Sequence, residues 1–291
     1  MVTNPQCIVC DTFMNPGSES WHFVCPHCRY EAGNLRPTIN STASADVIDE
    51  SARAQAFIGI RQRNFSRLIE LLRSLQGDAR RKLLDVGAAH GWFLQLAQPH
   101  FDVVGIEPDE AVGRRAMQSG VPIRLGYFPQ AVDDGERFDI IVFNDVIEHI
   151  PDIRATLAAC RRILNQDGLL LINLPSSTGF FYRMSKFLHA IGLSSAFGRM
   201  WQKGFPSPHV HYFSLANLDM LVAAHGFERV AAGFLPAVEL AGLWQRVSYA
   251  RNSSVLARCV QFALIVAVSP VLRLMPKDIC YAVFLCGKSP D

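Results

Sequence analysis

In the 291-residue chain no run of lysines and arginines forms a nucleic-acid stripe, and its 28 basic and 26 acidic residues leave a formal charge of +2. Phosphate recognition needs a concentrated basic stripe, so the charge pattern speaks against a nucleic-acid partner. A secretory leader is lacking too. Met1-Val-Thr-Asn-Pro-Gln-Cys7 has neither a basic flank nor an apolar core, which gives the expectation of a cytoplasmic protein. No internal repeat is present. A dinucleotide-binding turn would place glycines at 87, 89 and 92; those positions hold Gly87, Ala89 and Trp92, and a Trp cannot serve close helix–strand packing. The late apolar stretch Cys259–Leu272, bounded by Arg258 and Arg273, is shorter than the roughly 20 residues a bilayer requires. It reads as a core or cap helix, or else as a monotopic membrane contact. In the second case peripheral membrane association and contact with a polyprenylated or lipid-linked molecule follow.

The chain does have eight cysteines, in two unlike groups. Cys7, Cys10, Cys25 and Cys28 form C-x2-C-x14-C-x2-C, a spacing that brings four thiolates round one tetrahedral zinc. So little apolar mass surrounds them that metal binding would supply the folding free energy of this segment. A pair of disulfides is the alternative, and a reducing compartment disfavours it. Cys160, Cys259, Cys280 and Cys286 stand in apolar context and read as small core residues.

Three regions follow. Residues 1–33 form the metal knuckle, and the polar, Ser/Thr-rich 34–50 suits a linker. Residues 51–291 form a larger domain with insertions at about 176–213 and 236–276. An amphipathic helix over 51–75 leads in, with Phe57, Ile60, Phe65, Leu68, Ile69, Leu72 and Leu75 at mostly three- and four-residue intervals. Strands are predicted at 82–86, 102–106, 123–126, 138–144, 169–174, 227–234 and 279–285. Helices are predicted at 91–98, 109–119, 153–164 and 215–225, with turns at Asn165–Gly168 and His225-Gly226. The alternation argues for an α/β fold: a Rossmann-like, seven-stranded, mostly parallel sheet with helices on both faces, plus a small zinc-ribbon-like module.

The first strand runs into Asp85-x-Gly-x-Ala-x-Gly91, and the second ends in Glu107. This framing resembles motif I of class I S-adenosylmethionine-dependent methyltransferases, with Ala89 in place of the usual middle glycine. Phe138–Asp152 is similar to their fourth-strand motif, Arg162–Pro175 to their fifth-strand entry, and His209–Phe227 to the helix and turn that follow. The likeness spans about 54–235. In character it is nearest to ubiquinone-biosynthesis O-methyltransferases and related enzymes of secondary metabolism and surface polysaccharide pathways. It implies S-adenosylmethionine as cofactor, with Gly87, Ala89 and Gly91 letting backbone approach the methionine moiety and Asp85 accepting hydrogen bonds there. Glu107 would accept the ribose hydroxyls, while Gly126, Tyr127, Asn144 and Asp145 flank adenine and sulfonium. The Asn/Asp-Pro-Pro-aromatic tetrad of base-amino methylation is missing; Asn173-Leu-Pro-Ser176 is a poor substitute.

Methyl transfer from a sulfonium is an in-line displacement in which the protein aligns reactants and excludes water. A general base for an oxygen nucleophile would come from His149, His209 or His211, or from His90 in the cofactor loop. Asp145, Glu148 and His149 share the spacing of a divalent-metal cluster in some quinone O-methyltransferases; alternatively Glu148 and His149 cap the following helix. Aromatics of the first insertion (Phe180, Phe181, Tyr182, Phe187, Phe197, Trp201 and Phe205) suggest a cover over a hydrophobic or aromatic small-molecule acceptor, or else simply finish the core. The functional expectation is O-directed methyl transfer. An RNA base methyltransferase docking through the knuckle, or a non-catalytic docking protein on the same fold, are the competing readings.

Overall fold

Apolar residues that alternate along buried strands settle onto two faces of one sheet, and the core divides accordingly. The computed structural model describes residues 4–40, 50–77, 79–237, 259, 262 and 274–287. Its large sheet comprises β4 (Lys82–Val86), β5 (Asp102–Glu107), β6 (Ile123–Leu125), β7 (Phe138–Asn144), β8 (Leu164–Pro175), β10 (Phe227–Leu235) and β11 (Ile279–Cys286). The order is β10-β11-β8-β7-β4-β5-β6, with β11 alone antiparallel to both neighbours. Order reverses at β4, so β4, β5 and β7 open a crevice at their carboxyl ends.

On one face Leu83, Val103, Ile140, Val142, Leu169 and Leu171 meet α1 (Glu50–Gln76), α2 (Trp92–Ala97) and α3 (Glu110–Gln118). On the other, Leu84, Val86, Ile141, Phe143, Leu170 and Ile172 meet Ile153 and Leu157 of α4 (Ile153–Ile163). Leu218, Leu221 and Val222 of α7 (Leu215–Ala223) complete that face. Helix starts are written locally. Asp109 accepts from Val112 N, Asp152 accepts from Ala155 N, and Ser214 with Asn217 closes a capping box.

A second, four-stranded sheet was not expected. β1 (Asn15–Pro16), β2 (His22–Val24) and β3 (Glu31–Gly33) of the cysteine segment are joined by β9 (His211–Tyr212) from the far larger domain. The first insertion also contributes α5 (Phe180–Ala190) and α6 (Ser195–Met200). Tyr182, Phe197, Trp201 and Tyr212 pack with Trp21 of the cysteine segment in one buried cluster. These aromatics finish a core between module and sheet domain rather than covering the crevice. Phe181 and Phe187 of α5 stay exposed.

Residues 34–40 lie against the protein through Asn34 N to Trp21 O (2.7 Å), Thr38 N to Pro206 O (2.7 Å) and Asn40 Nδ2 to Pro108 O (2.7 Å). Most of the rest of the expected linker, most of the second insertion and all of the Cys259–Leu272 stretch but residues 259 and 262 fall outside the described residues. Among the described residues no helix is long and apolar enough to cross a membrane. All eight cysteines are unbridged in this structure. Cys160, Cys280 and Cys286 are buried as expected, whereas Cys259 is exposed.

Candidate functional site

The cofactor half of the site is the turn after β4. Gly87 and Gly91 have φ of 73° and 72°, a region in which a Cβ clashes with the backbone. At Gly87 a Cβ would also stand 2.5 Å from Val146. Ala89 adopts φ 46° despite its side chain, and its N–H donates to Glu107 Oε2 at 2.8 Å. Asp109 N donates to Glu107 Oε1 at 2.8 Å, so the second-strand acid is aimed back at the loop. Gly87 N and Ala88 N both donate to Ile106 O, at 2.8 and 3.0 Å. Asp85, Gly87, Ala89, Gly91 and Glu107 are therefore brought together.

Asp85 is 2 % exposed and, among the described residues, receives only Asn144 Nδ2, at 3.4 Å. Burial, with the Glu107 charge adding to it, pushes its carboxyl up to about 8. A buried acid so poorly supplied with donors suits a ligand that brings a cation or N–H groups. Gly126 N donates to Glu107 O at 3.0 Å, and Tyr127 beside it is exposed. His90 is stacked on Trp92, centroids 4.9 Å apart, within the loop.

The other half gathers at the carboxyl ends of β7 and β8, where Asn144 pairs in register with Asn173. Asp145 follows with φ 53° and donates its N–H to Asn173 O at 2.8 Å. Three residues on, Glu148 is 1 % exposed, and among the described residues neither of its carboxylate oxygens has a hydrogen-bond partner. Burial, reinforced by Asp145, drives its pKa well above the ordinary carboxylate range. The side-chain oxygens of Asn144 and Asn173 are likewise buried without donors.

His149 and His209 flank Glu148. Their Nε2 atoms lie 3.9 and 4.0 Å from Glu148 Oε1, and their rings are 4.7 Å apart. His149 Nδ1 donates to Pro208 O at 2.9 Å, which puts the neutral ring's lone pair on Nε2. Gln202 Nε2 donates to His209 Nε2 at 2.8 Å. Glu148, His149 and His209 offer ligand atoms within 4.8 Å of one another, so the geometric cluster contains His209 in place of the Asp145 suggested by spacing. Capping of α4 by Glu148 and His149 is not seen; Asp152 does that.

His211 is not in this cluster. Tyr30 donates its hydroxyl to His211 Nδ1, and His211 Nε2 donates to Ile150 O at 2.9 Å. Burial depresses its pKa to about 4. Both its nitrogens are engaged between module and sheet domain, which sets His211 apart from the two histidines beside Glu148. Arg61, on α1, was missed; its charge acts on both Asp145 and Glu148. Asn173 was missed as well, its signal being only its place at a strand end.

Cys7, Cys10, Cys25 and Cys28 converge within the same 4.8 Å limit. Cys7 and Cys28 Sγ are 3.5 Å apart, Cys10 and Cys25 Sγ 3.4 Å, near the roughly 3.7 Å edge of a tetrahedron with 2.3 Å Zn–S bonds. Val9 N donates to Cys7 Sγ and Cys28 N to Cys25 Sγ, each at 3.4 Å. Burial pushes the Cys7 thiol up to about 11, an effect a central cation would reverse. The donor set fits zinc.

A methyltransferase domain family model matches residues 57–232. The chain is 25% identical over 190 residues to a ubiquinone biosynthesis O-methyltransferase of Azorhizobium caulinodans, covering 63% of this chain and 72% of that protein. With the enzyme of the same description from Paramagnetospirillum magneticum it shares 34% over 114 residues, 37% of this chain and 45% of that one. The match thus spans about half the length of several such relatives. Among solved structures, the cyclopropane synthase MmaA2 of Mycobacterium tuberculosis superposes with TM-score 0.52 at 16% identity, covering 86% and 89% of the two chains. A methyltransferase from Haloferax volcanii, solved with the activator Trm112, gives 0.55 at 13% identity, covering 84% and 97%. At such identities these structures speak for the fold.

Proposed function

The chain belongs to the methyltransferase domain family, and on that premise we propose that it methylates a hydroxyl of a small-molecule acceptor, with His149 taking the proton. Dependence on S-adenosylmethionine comes with the family; the acceptor and the atom methylated are our reading. The carrying observation is Glu148, a fully buried carboxyl without donors, flanked by two imidazoles at the crevice edge.

When bound, S-adenosylmethionine supplies a methyl carbon on a cationic sulfonium, so the leaving group needs no activation by the protein. Glu107 would hold the ribose hydroxyls through charge-assisted hydrogen bonds, and the Gly87–Gly91 backbone would approach the methionine moiety. Asp85 would receive its amino group. On the acceptor side, His149 Nε2 removes the hydroxyl proton; Glu148, 3.9 Å away, would stabilise the resulting imidazolium only in its ionised form, which burial disfavours. His209 restrains the pair from the opposite side. The aromatic insertion argues less for an apolar acceptor, because Tyr182, Phe197 and Trp201 pack against Trp21. The oxygens of Asn144, Asn173 and Glu148 instead favour an acceptor that brings hydrogen-bond donors. Zinc on the four cysteines would be structural.

Calorimetric titration of metal-replete protein with S-adenosylmethionine, beside Glu107→Ala, tests the cofactor site. Loss of two charge-assisted hydrogen bonds worth about 1.5–3 kcal/mol each predicts at least roughly 100-fold weaker binding. His149→Ala should bind the cofactor normally and lose on the order of 10²-fold in transfer to a responsive phenolic or sugar acceptor. A folded wild type that binds no cofactor would sink the proposal in favour of a docking protein on this fold.

A further inference from the structure

We propose that the four-cysteine module is the positioning scaffold of the acceptor half of the site, and that Tyr30 is the positioning residue through which it acts. The inference rests on the reading of the histidine cluster given above and assigns the module a part in it.

Tyr30 lies two residues beyond Cys28 and is fully buried. Its hydroxyl donates to His211, whose other ring nitrogen donates to the carbonyl of Ile150, the residue directly after His149. One residue back along the same strap, Val210 N donates to Glu148 O at 2.8 Å and Val210 O accepts from Gly33 N at 3.0 Å. Pro208 O accepts from His149 Nδ1 at 2.9 Å. The strap carrying His209 is thus stitched to both the module and the Glu148–Ile150 turn. Within the four-stranded sheet its strand, β9, has β3 of the module as its sole neighbour.

Both knuckles reach the same region. Arg154 donates to Ile8 O at 2.9 Å and to Asp11 Oδ1 at 2.7 Å, beside Cys7 and Cys10. Asn217 Nδ2 donates to Cys28 O at 3.3 Å. The Gly87–Gly91 loop and Glu107 are held differently, by Ile106, Glu107 and Asp109 of the sheet domain itself. Two halves of one site therefore have separate supports. Weakening the module should loosen the acceptor half and leave the cofactor half in place.

The test compares wild type with Tyr30→Phe, which removes one hydroxyl and keeps the ring that packs on Phe213. Three readouts are taken: S-adenosylhomocysteine affinity by calorimetry, amide hydrogen exchange over 146–154 and 208–213, and the imidazole resonances of His149 and His209. The proposal expects unchanged metal content and affinity, exchange about ten-fold faster in both segments, and displaced imidazole signals. Arg154→Ala, which cuts an exposed tie, should act in the same direction if Tyr30→Phe fails to fold. Stripping the metal from wild type with a chelator should give the largest effect. Unchanged exchange and resonances in the variants would overturn the proposal, as would an affinity that falls in step with them. Failure of wild type to bind S-adenosylhomocysteine at all would count against the proposed function instead.

Discussion

A histidine whose two nitrogens are both engaged in a dry environment titrates unlike one in a catalytic pocket, and His211 shows how. The neutral tautomer, with its proton on Nε2, satisfies both Tyr30 and Ile150 O. The native state then resists protonation down to about 4, while an unfolded histidine takes its proton near 6.5. Because the unfolded chain binds more protons over that interval, stability falls as pH drops from about 6.5 to about 4, by roughly 3 kcal/mol for this one group. Asp85, raised from 3.8 to about 8 by burial, pulls the other way over the whole of that range. The measurement is therefore a difference: urea midpoints of wild type and His211→Gln at pH 7 and pH 4.5. The variant should be the weaker protein at pH 7, and most of that gap should close at pH 4.5. A gap independent of pH would show that folding leaves the His211 pKa unshifted. Ala89 teaches another residue-scale lesson. Spacing made it an exception to a glycine pattern, and its φ of 46° shows that the backbone keeps the glycine-like conformation, at a cost of about 1 kcal/mol.

Among the elements, the anchor of the small sheet is one carboxylate on β3. Glu31 accepts from His22 Nε2 (2.7 Å), Tyr182 hydroxyl (2.7 Å) and Lys186 Nζ (2.9 Å), joining β2, β3 and α5. Burial pushes its pKa up, but His22, Lys186 and Tyr182 outweigh that and hold it below the ordinary carboxylate value. Its contribution is present above the ordinary value of about 4.5 and is lost as pH falls below it. Glu31→Ala should destabilise by about 3 kcal/mol, since His22 and Tyr182 cannot reach water whereas Lys186 can. Emission from Trp21 and Trp201 should report the transition; an unchanged urea midpoint would remove Glu31 from this role. Sequence patterning reveals such elements unevenly. Strands of the large sheet are legible to within a few residues because each buries alternating side chains on two faces. β8 starts earlier than expected, at Leu164, and its register with β7 breaks between Leu164 and Leu169, where Asp167 has φ 58°. β1, β2, β3 and β9 were missed because two or three residues have no period to read. The site divides the same way: Asp85, Gly87, Gly91 and Glu107 lie within 23 positions and carry their own spacing. His149 with His209, or Tyr30 with His211, meet only through tertiary structure.

At the level of the whole molecule, the question is whether a cysteine module and a methyltransferase sheet are two bodies on a linker or one. Cys7, Val9, Met14, Phe23 and Tyr30 belong to the same buried cluster as Leu84, Phe143, Phe213, Leu218 and Phe284. A second cluster buries Trp21 against Phe197, Trp201 and Tyr212. Deleting residues 1–33 would return at least Phe197, Trp201, Tyr212 and Phe213 to water, at about 1.5–3 kcal/mol each, or roughly 6–12 kcal/mol together. That equals most of the 5–15 kcal/mol typical of a folded chain, before counting the unpaired β9. The remainder should therefore be insoluble or loosely packed, with little near-ultraviolet dichroism. The intact protein should melt in one calorimetric transition whose van't Hoff and calorimetric enthalpies agree. Metal removal should lower the temperature of that single transition rather than split off a small early one. Two transitions, the later insensitive to chelator, would mean that the sheet domain folds without its module. The shared core would then be a contact surface between independent bodies, and the cofactor site would survive truncation.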